Sequence, residues 1–436
     1  MSIIEQLFID TLRRTQWLPP ARIAAYQGSL LENLLRHAAS QTEFNRDRLR
    51  PLFATADIAT APIDFSRWAE VPIATRADVL DNFEAMKALS VPPETGAVVS
   101  GQSSGSTGEP MKHLRSQFAD DAANCQLDRV FELFDFDLFG TLAWITFDAE
   151  ELFPYPHGRK FNTWNRTAEN ADFHVLDIRT HPADQLEWLL RVRPDYLFSY
   201  ANNLKAIADL IPDAQGSALR LKSIISTGEI LTADTRKSIE QVFGCRVIDI
   251  YGAREIGQIA FQCPSADRYH LCSELVLTEI VDGNGIPVRP GELGRIVVTP
   301  LYNYAMPFIR YHIGDYAIAS SSPCACGRGL PCLDQIVGRT RNLFVMPDGS
   351  KKWPAMSAEM ARLLPYRQFQ MVQLDPFTLE FRYVPASAGE PADPSGLISY
   401  LRAMFHQDLK VRVVAVDAVE RTPGGKFEMF MSRVGT

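Results

Sequence analysis

The sequence predicts an α/β protein with a large N-terminal domain and a small, mobile C-terminal α+β domain. At 436 residues the chain is too long for one ordinary core. From about residue 96, short apolar strands alternate with helical stretches, which indicates mixed or parallel sheets covered by helices. A further alternation of strand and helix begins after residue 341. We therefore expect domains at 1–341 and 342–436.

Residues 1–90 carry the periodicity of helices. The stretches "GSLLENLLRHAASQTEF" and "TRADVLDNFEAMKAL" place apolar residues three and four positions apart. The N-terminal "MSIIEQLFIDTLRRTQW" has charges inside its apolar stretch and no secretory signal pattern. It is therefore interpreted as an amphipathic helix of the folded domain.

Strands of the sheet are predicted at "GTLAWITF", "DYLFSY", "LKSIIST" and "CRVIDIYG". Between them, "NLKAIADLI" and "TADTRKSIEQVF" have helical spacing. Ligands of such sheets bind beyond the carboxyl ends of the strands. The Gly-rich loop at 100–112 and the segments "STGE" and "IYGAREIG" each follow a strand directly, so we expect the three to meet in one crevice.

An antiparallel subdomain is predicted from about 271 to 320, where alternating strands are separated by Asp-Gly and Pro-Gly turns. The C-terminal domain is indicated by the amphipathic "PSGLISYLRAMFHQDL", the strand "VRVVAVDAV" and the Gly-rich "RTPGGKFEMF". These last three segments support a separate α+β unit of about 95 residues.

Composition excludes several classes of protein. The formal net charge is −8 and the basic residues are scattered, which argues against a nucleic-acid partner. No apolar run approaches the roughly 20 residues that span a bilayer, so no membrane partner is expected. Seven cysteines, an odd number, favour reduced thiols or a metal over a disulfide framework. These features predict a cytoplasmic protein.

The loop "SGQSSGSTGEPMK" at 100–112 is rich in hydroxyl residues and glycines. Such a loop offers backbone and side-chain donors without steric bulk, as a polyphosphate requires. It is not a Walker A loop, because no Gly-Lys-Ser/Thr follows Gly105 at the required spacing. The alternative is a flexible surface linker.

Six segments in order resemble the motifs of the adenylate-forming superfamily of acyl-CoA synthetases, adenylation domains and luciferases. The segments are "SSGSTGEP", "STGEIL", "IYGAREIG", "IRYHIGDYA", "IVGRTRN" and "RTPGGKFE". Within the superfamily, "PSADRYH", "CACGRGLP" and "EVPIATRADVLDNF" are similar to the phenylacetate-CoA ligase-like branch. The resemblance implies an aryl-acid:CoA ligase, an AMP-forming acid–thiol ligase.

The resemblance implies two reaction steps. A carboxylate attacks the α-phosphate of ATP and releases pyrophosphate, and the thiol of CoA then attacks the acyl-adenylate and releases AMP. The implied donors to the β- and γ-phosphates are Ser103, Ser104, Gly105, Ser106, Thr107 and Gly108. Glu255 would hold Mg²⁺, which favours carboxylate oxygens. The alternative for Glu255 is an ordinary surface glutamate.

The same resemblance assigns the nucleoside contacts. Asp315 would accept hydrogen bonds from the ribose hydroxyls, and Arg339 would lie near the ribose or a phosphate. The implied adenine-side residues are Gly228, Glu229, Asp249, Ile250 and Tyr251. Alternatively, Asp315 caps a turn and Arg339 makes a structural ion pair.

The C-terminal loop would place Lys426 between the carboxylate and the α-phosphate during adenylation. The unit that carries it is expected to rotate about Arg341–Asn342, so that the lysine serves only the first step.

Two positions depart from the superfamily pattern. Arg254 replaces the Ser or Thr that usually precedes the metal-binding glutamate. Its guanidinium either substitutes for the hydroxyl electrostatically, as a catalytic group, or points away. Asn342 stands where a hinge aspartate is common.

Five of the seven cysteines lie between Cys263 and Cys332. Three thiols and one imidazole, from Cys263, His270, Cys324 and Cys326, form a ligand set suited to structural zinc. Relatives in the resembling branch carry similar elements. Cys272 and Cys332 are additional candidates, and the alternative is a group of buried thiols beside a core histidine.

The acyl pocket is expected between the strand ends. Its predicted lining is Phe147, Tyr200, Ala201, Gly252, Ala253 and Ile256, with Trp144 nearby, although aromatic residues at these spacings also suit a plain core. Phenylacetate-, benzoate- and anthranilate-like acids all fit. Acyl transfer to a carrier protein or an amine, and nucleotide binding without chemistry, are the competing functions. A homodimer is compatible with the sequence.

Overall fold

A computed structural model describes residues 2–55, 58–103, 111–148, 150, 152–211, 218–339, 343–352, 354, 358–386, 393–419 and 428–434. The helices are α1 (Ile3–Thr15), α2 (Pro20–Gln41), α3 (Glu43–Leu49), α4 (Arg76–Asp81), α5 (Phe83–Met86), α6 (Gln117–Leu133), α7 (Pro182–Val192), α8 (Ala201–Ala208), α9 (Ala233–Phe243), α10 (Ala358–Leu363) and α11 (Ser395–Met404). Short 3₁₀ helices lie at Arg50–Leu52, Phe65–Glu70 and Pro93–Thr95.

The described residues form the following strands, most of which precede residue 340. They are β1 (Val98–Gln102), β2 (Lys112–Ser116), β3 (Leu142–Thr146), β4 (Arg159–Phe161), β5 (Phe173–Asp177), β6 (Tyr196–Tyr200), β7 (Ser223–Thr227), β8 (Arg246–Ala253), β9 (Gly257–Gln262), β10 (Tyr269–Leu271), β11 (Val276–Val281), β12 (Leu293–Pro300), β13 (Tyr311–Ala319), β14 (Cys332–Arg339), β15 (Phe344–Val345), β16 (Lys351–Lys352), β17 (Tyr366–Asp375), β18 (Thr378–Pro385), β19 (Lys410–Ala415) and β20 (Phe430–Ser432).

Twelve strands of the described part of the chain form one sheet. Their order is β11, β12, β13, β14, β10, β9, β8, β7, β6, β3, β5, β4. The neighbouring pairs from β8 to β5 are parallel, as the alternation of strand and helix predicts. The pairs from β8 to β11 on the other side are antiparallel. The predicted antiparallel subdomain is therefore one end of this large sheet.

Helices cover both faces of the parallel strands. On one face, residues of α7, α8 and α9 pack with inward side chains of β3, β6, β7 and β8, around Leu197 and Ile224. On the other, Val130 and Phe131 of α6 pack with Phe198, Ile225 and Ile248. Because successive side chains of a strand point to opposite faces, strands buried on both sides are mostly apolar.

The N-terminal helix begins where the sequence places a capping box. Ser2 and Glu5 each accept a hydrogen bond from the other's backbone N–H, which satisfies two donors of the first turn. Phe8, Ile9 and Leu12 bury one face of α1 in a core cluster that also contains Ala122 and Cys125 of α6. The predicted amphipathic helix is thus part of the folded unit.

The C-terminal unit has its own sheet, in the order β19, β18, β17, β20, and its own hydrophobic cluster. In this sheet β17 and β18 are antiparallel, and the two outer pairs are parallel. Leu397 and Leu401 of α11 are fully buried in the cluster. This confirms the predicted α+β class, while the expected boundary at 341–342 lies outside the described residues. No helix in the described ranges is long and apolar enough to cross a bilayer.

A buried ion pair joins α1, α6 and the segment before β11. Arg129 donates to Glu274 at 2.8 Å, and both side chains are at most 1% exposed. The Thr15 hydroxyl donates to the same carboxylate at 2.7 Å, and Arg129 donates to the Leu12 carbonyl at 3.2 Å. Buried charges need such partners, because desolvation of each ion costs several kcal/mol.

Arg129→Met should lower the free energy of unfolding by about 3–5 kcal/mol, because it leaves the Glu274 charge buried and unpaired. The double variant that combines Arg129→Met with Glu274→Leu should lose less, since neither charge remains. Urea unfolding followed by circular dichroism measures both. Arg289→Met, at a side chain that is 87% exposed, is the control. A loss below about 1 kcal/mol for Arg129→Met would contradict the assignment.

Candidate active site

The carboxyl ends of β6, β7 and β8 form one edge of the sheet, because these neighbouring strands are parallel. They end at Tyr200, Thr227 and Ala253. The Thr227 hydroxyl donates to the Ile250 carbonyl at 3.0 Å, which ties the end of β7 to β8. The predicted segments after β7 and β8 therefore do meet at one edge.

The hydroxyl-rich loop joins the antiparallel strands β1 and β2. At its base the Ser103 N–H donates to the Met111 carbonyl at 2.9 Å, and the Ser103 hydroxyl accepts from the Met111 N–H at 3.0 Å. Arg76, the first residue of α4, donates to the same hydroxyl at 3.3 Å. Arg76 lies in the segment "EVPIATRADVLDNF", but this contact is not predicted by the sequence. The other predicted donors, 104–108, lie outside the described residues.

After β7, Gly228 has a φ of +72°, in the left-handed region that glycine adopts readily. This turn directs Glu229 toward the start of α8, where its carboxylate accepts a hydrogen bond from the Asn202 N–H at 2.9 Å. The adenine-side segment predicted from the sequence is thus tied to the helix that follows Tyr200.

Tyr251 of β8 donates its hydroxyl proton to the Asp315 carboxylate of β13 at 2.7 Å. Burial, followed by the nearby Asp315 charge, raises the pKa of Tyr251 well above its usual value, so the hydroxyl stays protonated as a donor. Arg339 lies opposite Asp315 in the β13–β14 register, with its Nε 3.9 Å from the other carboxylate oxygen. Two of the predicted nucleoside contacts are therefore adjacent to the adenine-side tyrosine.

This contact requires the sheet to curl. Three strands separate β8 from β13, and at about 4.8 Å per strand a flat sheet would hold them roughly 19 Å apart. A tyrosine side chain spans only part of that distance. The antiparallel end of the sheet therefore folds back over the carboxyl edge of the parallel strands.

Asp249 and Ile250 are buried within the sheet. The Asp249 carboxylate accepts a hydrogen bond from the Tyr269 hydroxyl of β10 at 2.5 Å, and Ile250 is 3% exposed in the cluster that contains Phe261. Burial raises the pKa of Asp249 to about 6, against the opposing effect of the Tyr269 hydrogen bond. Asp249 thus has a structural partner in addition to its predicted place at the adenine border.

Glu255 lies in a tight turn between β8 and β9, where the Ile256 N–H donates to the Ala253 carbonyl at 3.1 Å. The residue is only 7% exposed. The hydrogen bonds among the described residues include none to its carboxylate, which leaves its oxygens available to a ligand. The side chain therefore fits the predicted role of a Mg²⁺ ligand and is not an ordinary surface glutamate.

The Arg254 guanidinium donates to the Phe147 carbonyl at 2.6 Å and lies 5.6 Å from the centre of the Phe147 ring. Arg179 lies 5.3 Å from the same ring and donates to the Asp148 carbonyl at 2.9 Å. Two arginines therefore hold the segment after β3. In this structure Arg254 links the Glu255 turn to the predicted wall of the acyl pocket.

The predicted acyl-pocket residues are not equally accessible. Phe147 is half-buried and packs against the cluster that contains Tyr200, at the end of β6. Ala201 and Ile256 are buried, at 0% and 4% exposure, and Ile256 belongs to the main core. Trp144 stacks between Phe173 and Phe198 in a separate cluster, so the structure does not bring it together with Phe147.

Gly252 and Ala253 are half-buried beside the Glu255 turn. A Cβ added at Gly252 would lie 2.5 Å from the Gly257 carbonyl oxygen, so only glycine fits this close approach of β8 to β9.

Four side chains converge around β10, as the sequence predicts. The ligand atoms of Cys263, His270, Cys324 and Cys326 all lie within 4.8 Å of one another. The Cys263 and Cys324 sulfurs are 3.6 Å apart, and the Cys326 sulfur is 3.3 Å from His270 Nε2. In a tetrahedral zinc site with Zn–S of about 2.3 Å, sulfurs are about 3.8 Å apart, so the geometry fits this ion.

The two additional cysteines differ. The Cys332 sulfur lies 3.3 Å from His270 Nδ1, the ring nitrogen that does not face the cluster. Metal-ligating histidines commonly use this second nitrogen to bond a supporting group. Cys272 is fully buried in the hydrophobic cluster of β6, β7 and β8, and burial raises the pKa of its thiol.

The chain is similar to known proteins both in sequence and in fold. The phenylacetate-coenzyme A ligase of Escherichia coli (strain K12) is 25% identical over 347 residues, which cover 74% of this chain and 72% of that enzyme. The enzyme of the same name from Thermus thermophilus is 27% identical over 179 residues, 40% of each protein. No family model matches the chain.

Among solved structures, a 2-hydroxyisobutyryl-CoA ligase in complex with its acyl-AMP superimposes with a TM-score of 0.74. The superposition covers 97% of this chain and 92% of the ligase at 19% identity. The chain is therefore similar in sequence to phenylacetate-coenzyme A ligases and shares the fold of an adenylate-forming CoA ligase. This confirms the family predicted from the motifs, and the predicted α/β fold is confirmed with it.

The relatives are CoA ligases, so the predicted enzyme class, an AMP-forming acid–thiol ligase, is also confirmed. Ligation through an acyl-AMP is the activity that these homologues support. Two residues of the candidate site were not predicted from the sequence: Arg76 contacts the base of the loop, and Arg115 contacts the Glu255 turn. Arg115 follows the recognised loop and belongs to no motif, whereas Arg76 lies within "EVPIATRADVLDNF", a segment that was recognised only as a family resemblance.

Asp249→Asn should change how stability depends on pH. Because the folded-state pKa of about 6 lies above the ordinary 3.8, the folded protein binds the proton more tightly, and wild-type stability falls as pH rises through this range. Between pH 4.5 and 7.5 this group should cost the wild type about 2 kcal/mol. The amide of the variant does not titrate and has no such cost. Urea unfolding at several pH values measures the difference, and parallel pH profiles of the two proteins would contradict the prediction.

Proposed function

We propose that this acid–thiol ligase activates an aromatic carboxylic acid with ATP and transfers the acyl group to CoA. The observation that carries the proposal is the Glu255 carboxylate, which is buried and accepts no hydrogen bond from the described residues. It lies in the turn next to Tyr251, whose hydroxyl bonds Asp315. Such a carboxylate suits a magnesium ion bound together with a nucleotide.

In the proposed first step, the acid's carboxylate attacks the α-phosphate and pyrophosphate leaves. Ser103 and the loop residues 104–108 would donate to the β- and γ-phosphates, and Glu255 would hold Mg²⁺, which offsets phosphate charge when bound. Asp315 would accept from the ribose hydroxyls through the oxygen that faces Arg339, because Tyr251 occupies the other. Gly228 and Glu229 would border the adenine.

The acid would bind beside Phe147 and Tyr200, near the carboxyl ends of β3 and β6. Support for an aromatic acid comes from the half-buried Phe147 ring at this edge and from the names of the relatives, which are phenylacetate-coenzyme A ligases. Edge or stacking contacts with such a ring favour a planar substrate. The structure keeps Arg254 on the Phe147 carbonyl, so we propose that it shapes this wall.

The proposal for the second step concerns the C-terminal unit, 342–436. Lys426 and the Arg341–Asn342 hinge lie outside the described residues. We propose that Lys426 contacts the carboxylate and α-phosphate during adenylation, and that rotation of the unit withdraws it before the CoA thiol attacks. The separate hydrophobic cluster of this unit is consistent with rotation as a body.

Purified protein with ATP and Mg²⁺ should release pyrophosphate with at least one of phenylacetate, benzoate and anthranilate, and less with aliphatic acids such as 2-hydroxyisobutyrate. Glu255→Gln removes one charge and keeps the shape, and should lower this rate at least about 100-fold. The control is Glu292→Gln, at an exposed glutamate paired with Arg289.

Near-normal pyrophosphate release by Glu255→Gln would refute the metal role, and a preference for aliphatic acids would refute the aromatic substrate. Product analysis with CoA, a carrier protein or amines identifies the acceptor. Acyl transfer to CoA is the expected result.

We also propose that Cys263, His270, Cys324 and Cys326 bind one structural zinc ion. Elemental analysis of purified protein should give about one zinc per chain, and Cys324→Ser should lose it because a hydroxyl is a poor zinc ligand. Cys245→Ser, at a cysteine outside the cluster, should keep it. Fully folded wild-type protein without zinc would refute the site.

A further inference from the structure

Arg115 is a buried arginine in β2, the strand that follows the hydroxyl-rich loop. The residue is 8% exposed, and a buried guanidinium is costly unless its charge and donors are satisfied. Its nearest carboxylate is Asp120 of α6, with an N–O distance of 2.8 Å. It also donates to the Ala119 carbonyl at 2.9 Å. Two of its contacts therefore anchor it to the start of α6.

The remaining contact reaches the turn that carries Glu255. Arg115 Nη1 donates to the carbonyl of Arg254 at 3.1 Å, which is the peptide group immediately before Glu255. A Cβ added at Gly257 would lie 3.4 and 3.5 Å from the guanidinium nitrogens, so this group packs directly on the turn. The turn is thus stabilised by its own hydrogen bond, from Ile256 to Ala253, and by the hydrogen bond from Arg115.

The charges around Arg115 include Glu255. Burial lowers the pKa of Arg115, and the negative charges of Asp120 and then Glu255 oppose this effect. Burial raises the pKa of Asp120, and the Arg115 charge opposes it. Arg115 is therefore electrostatically coupled to the Glu255 carboxylate, although no hydrogen bond joins the two side chains.

Arg115 also connects the two parts of the site that are distant in sequence. Its strand, β2, pairs with β1. Met111, at the base of the loop, lies four residues before Arg115 in the chain. The Glu255 turn lies about 140 residues later in the chain. The Arg115 side chain, which is anchored to α6, therefore links the Glu255 turn to the loop hairpin, formed by β1 and β2.

We propose that Arg115 is a positioning residue that holds the Glu255 turn against the loop hairpin, so that Mg²⁺ and the nucleotide phosphates bind together. The proposal rests on the function proposed above. Arg115 itself contacts neither the metal nor the substrate. Its effect is to fix the backbone on which Glu255 stands, as supporting residues do for metal ligands in general.

The test measures ATP binding without an acid, so no turnover is needed. Isothermal titration calorimetry with excess Mg²⁺ and with EDTA gives the gain in ATP affinity that Mg²⁺ provides. Arg115→Met should reduce this gain about tenfold or more, while affinity in EDTA changes by less than about twofold. Arg115→Lys, which can keep the Asp120 pair and one carbonyl contact, should retain part of the gain.

Two comparisons separate positioning from general destabilisation. Arg129→Lys makes the same conservative change at a buried arginine that does not contact the turn, and should leave the Mg²⁺ gain unchanged. In a double-mutant cycle, Arg115→Met is combined with Glu255→Gln. The double variant should lose no more of the Mg²⁺-dependent gain in ATP affinity than the more impaired single variant, because both changes act through one carboxylate.

Two results would overturn the positioning role alone. One is additive losses in that cycle. The other is an unchanged gain in ATP affinity from Mg²⁺ in folded Arg115→Met and Arg115→Lys. Wild-type protein whose ATP binding does not respond to Mg²⁺ would refute the metal site itself and, with it, both proposals. Circular dichroism of each variant establishes that it is folded.

Discussion

The hydrogen bond from Tyr251 to Asp315 is the contact on which the geometry of the candidate site depends. It joins strands that are four positions apart in the sheet, and it can form only because the sheet curls back on itself. Through this curl, Arg339 and Asp315 of the antiparallel end face the carboxyl edge of the parallel strands. The buried tyrosine keeps its proton, so the contact is a neutral donor to a charged acceptor, which is among the stronger types of hydrogen bond.

The rest of the site is assembled from turns that are stabilised by polar contacts. Arg76 bonds Ser103 at the base of the loop, Glu229 bonds the start of α8, and Arg254 bonds the Phe147 carbonyl. Each contact joins two strand ends or a strand end and a helix. Contacts of this kind hold side chains in place before a ligand binds, which reduces the ordering cost of binding.

The cysteine–histidine cluster has a structural connection to the N-terminal helices. Arg328, next to the Cys324–Cys326 segment, donates to the Gln16 side chain at 2.8 Å and lies 4.6 Å from the Trp17 ring. A Cβ at Gly329 would lie 1.8 Å from the Leu18 carbonyl oxygen, so only glycine allows this contact. Ordering of this loop by a metal would therefore also fix the junction of α1 and α2.

The sequence by itself determined the α/β class, the alternation of β6, α8, β7, α9 and β8, the motif positions and the cysteine–histidine set. These depend on local periodicity and on residue chemistry, which a single chain displays directly. It did not show that the antiparallel strands continue the large sheet, that Trp144 belongs to a different cluster from Phe147, or that Ile256 is buried. Only the tertiary structure decided the curl of the sheet and the hydrogen bonds of Arg76 and Arg115, because these depend on contacts between residues that are distant along the chain, and no local pattern encodes such a distance.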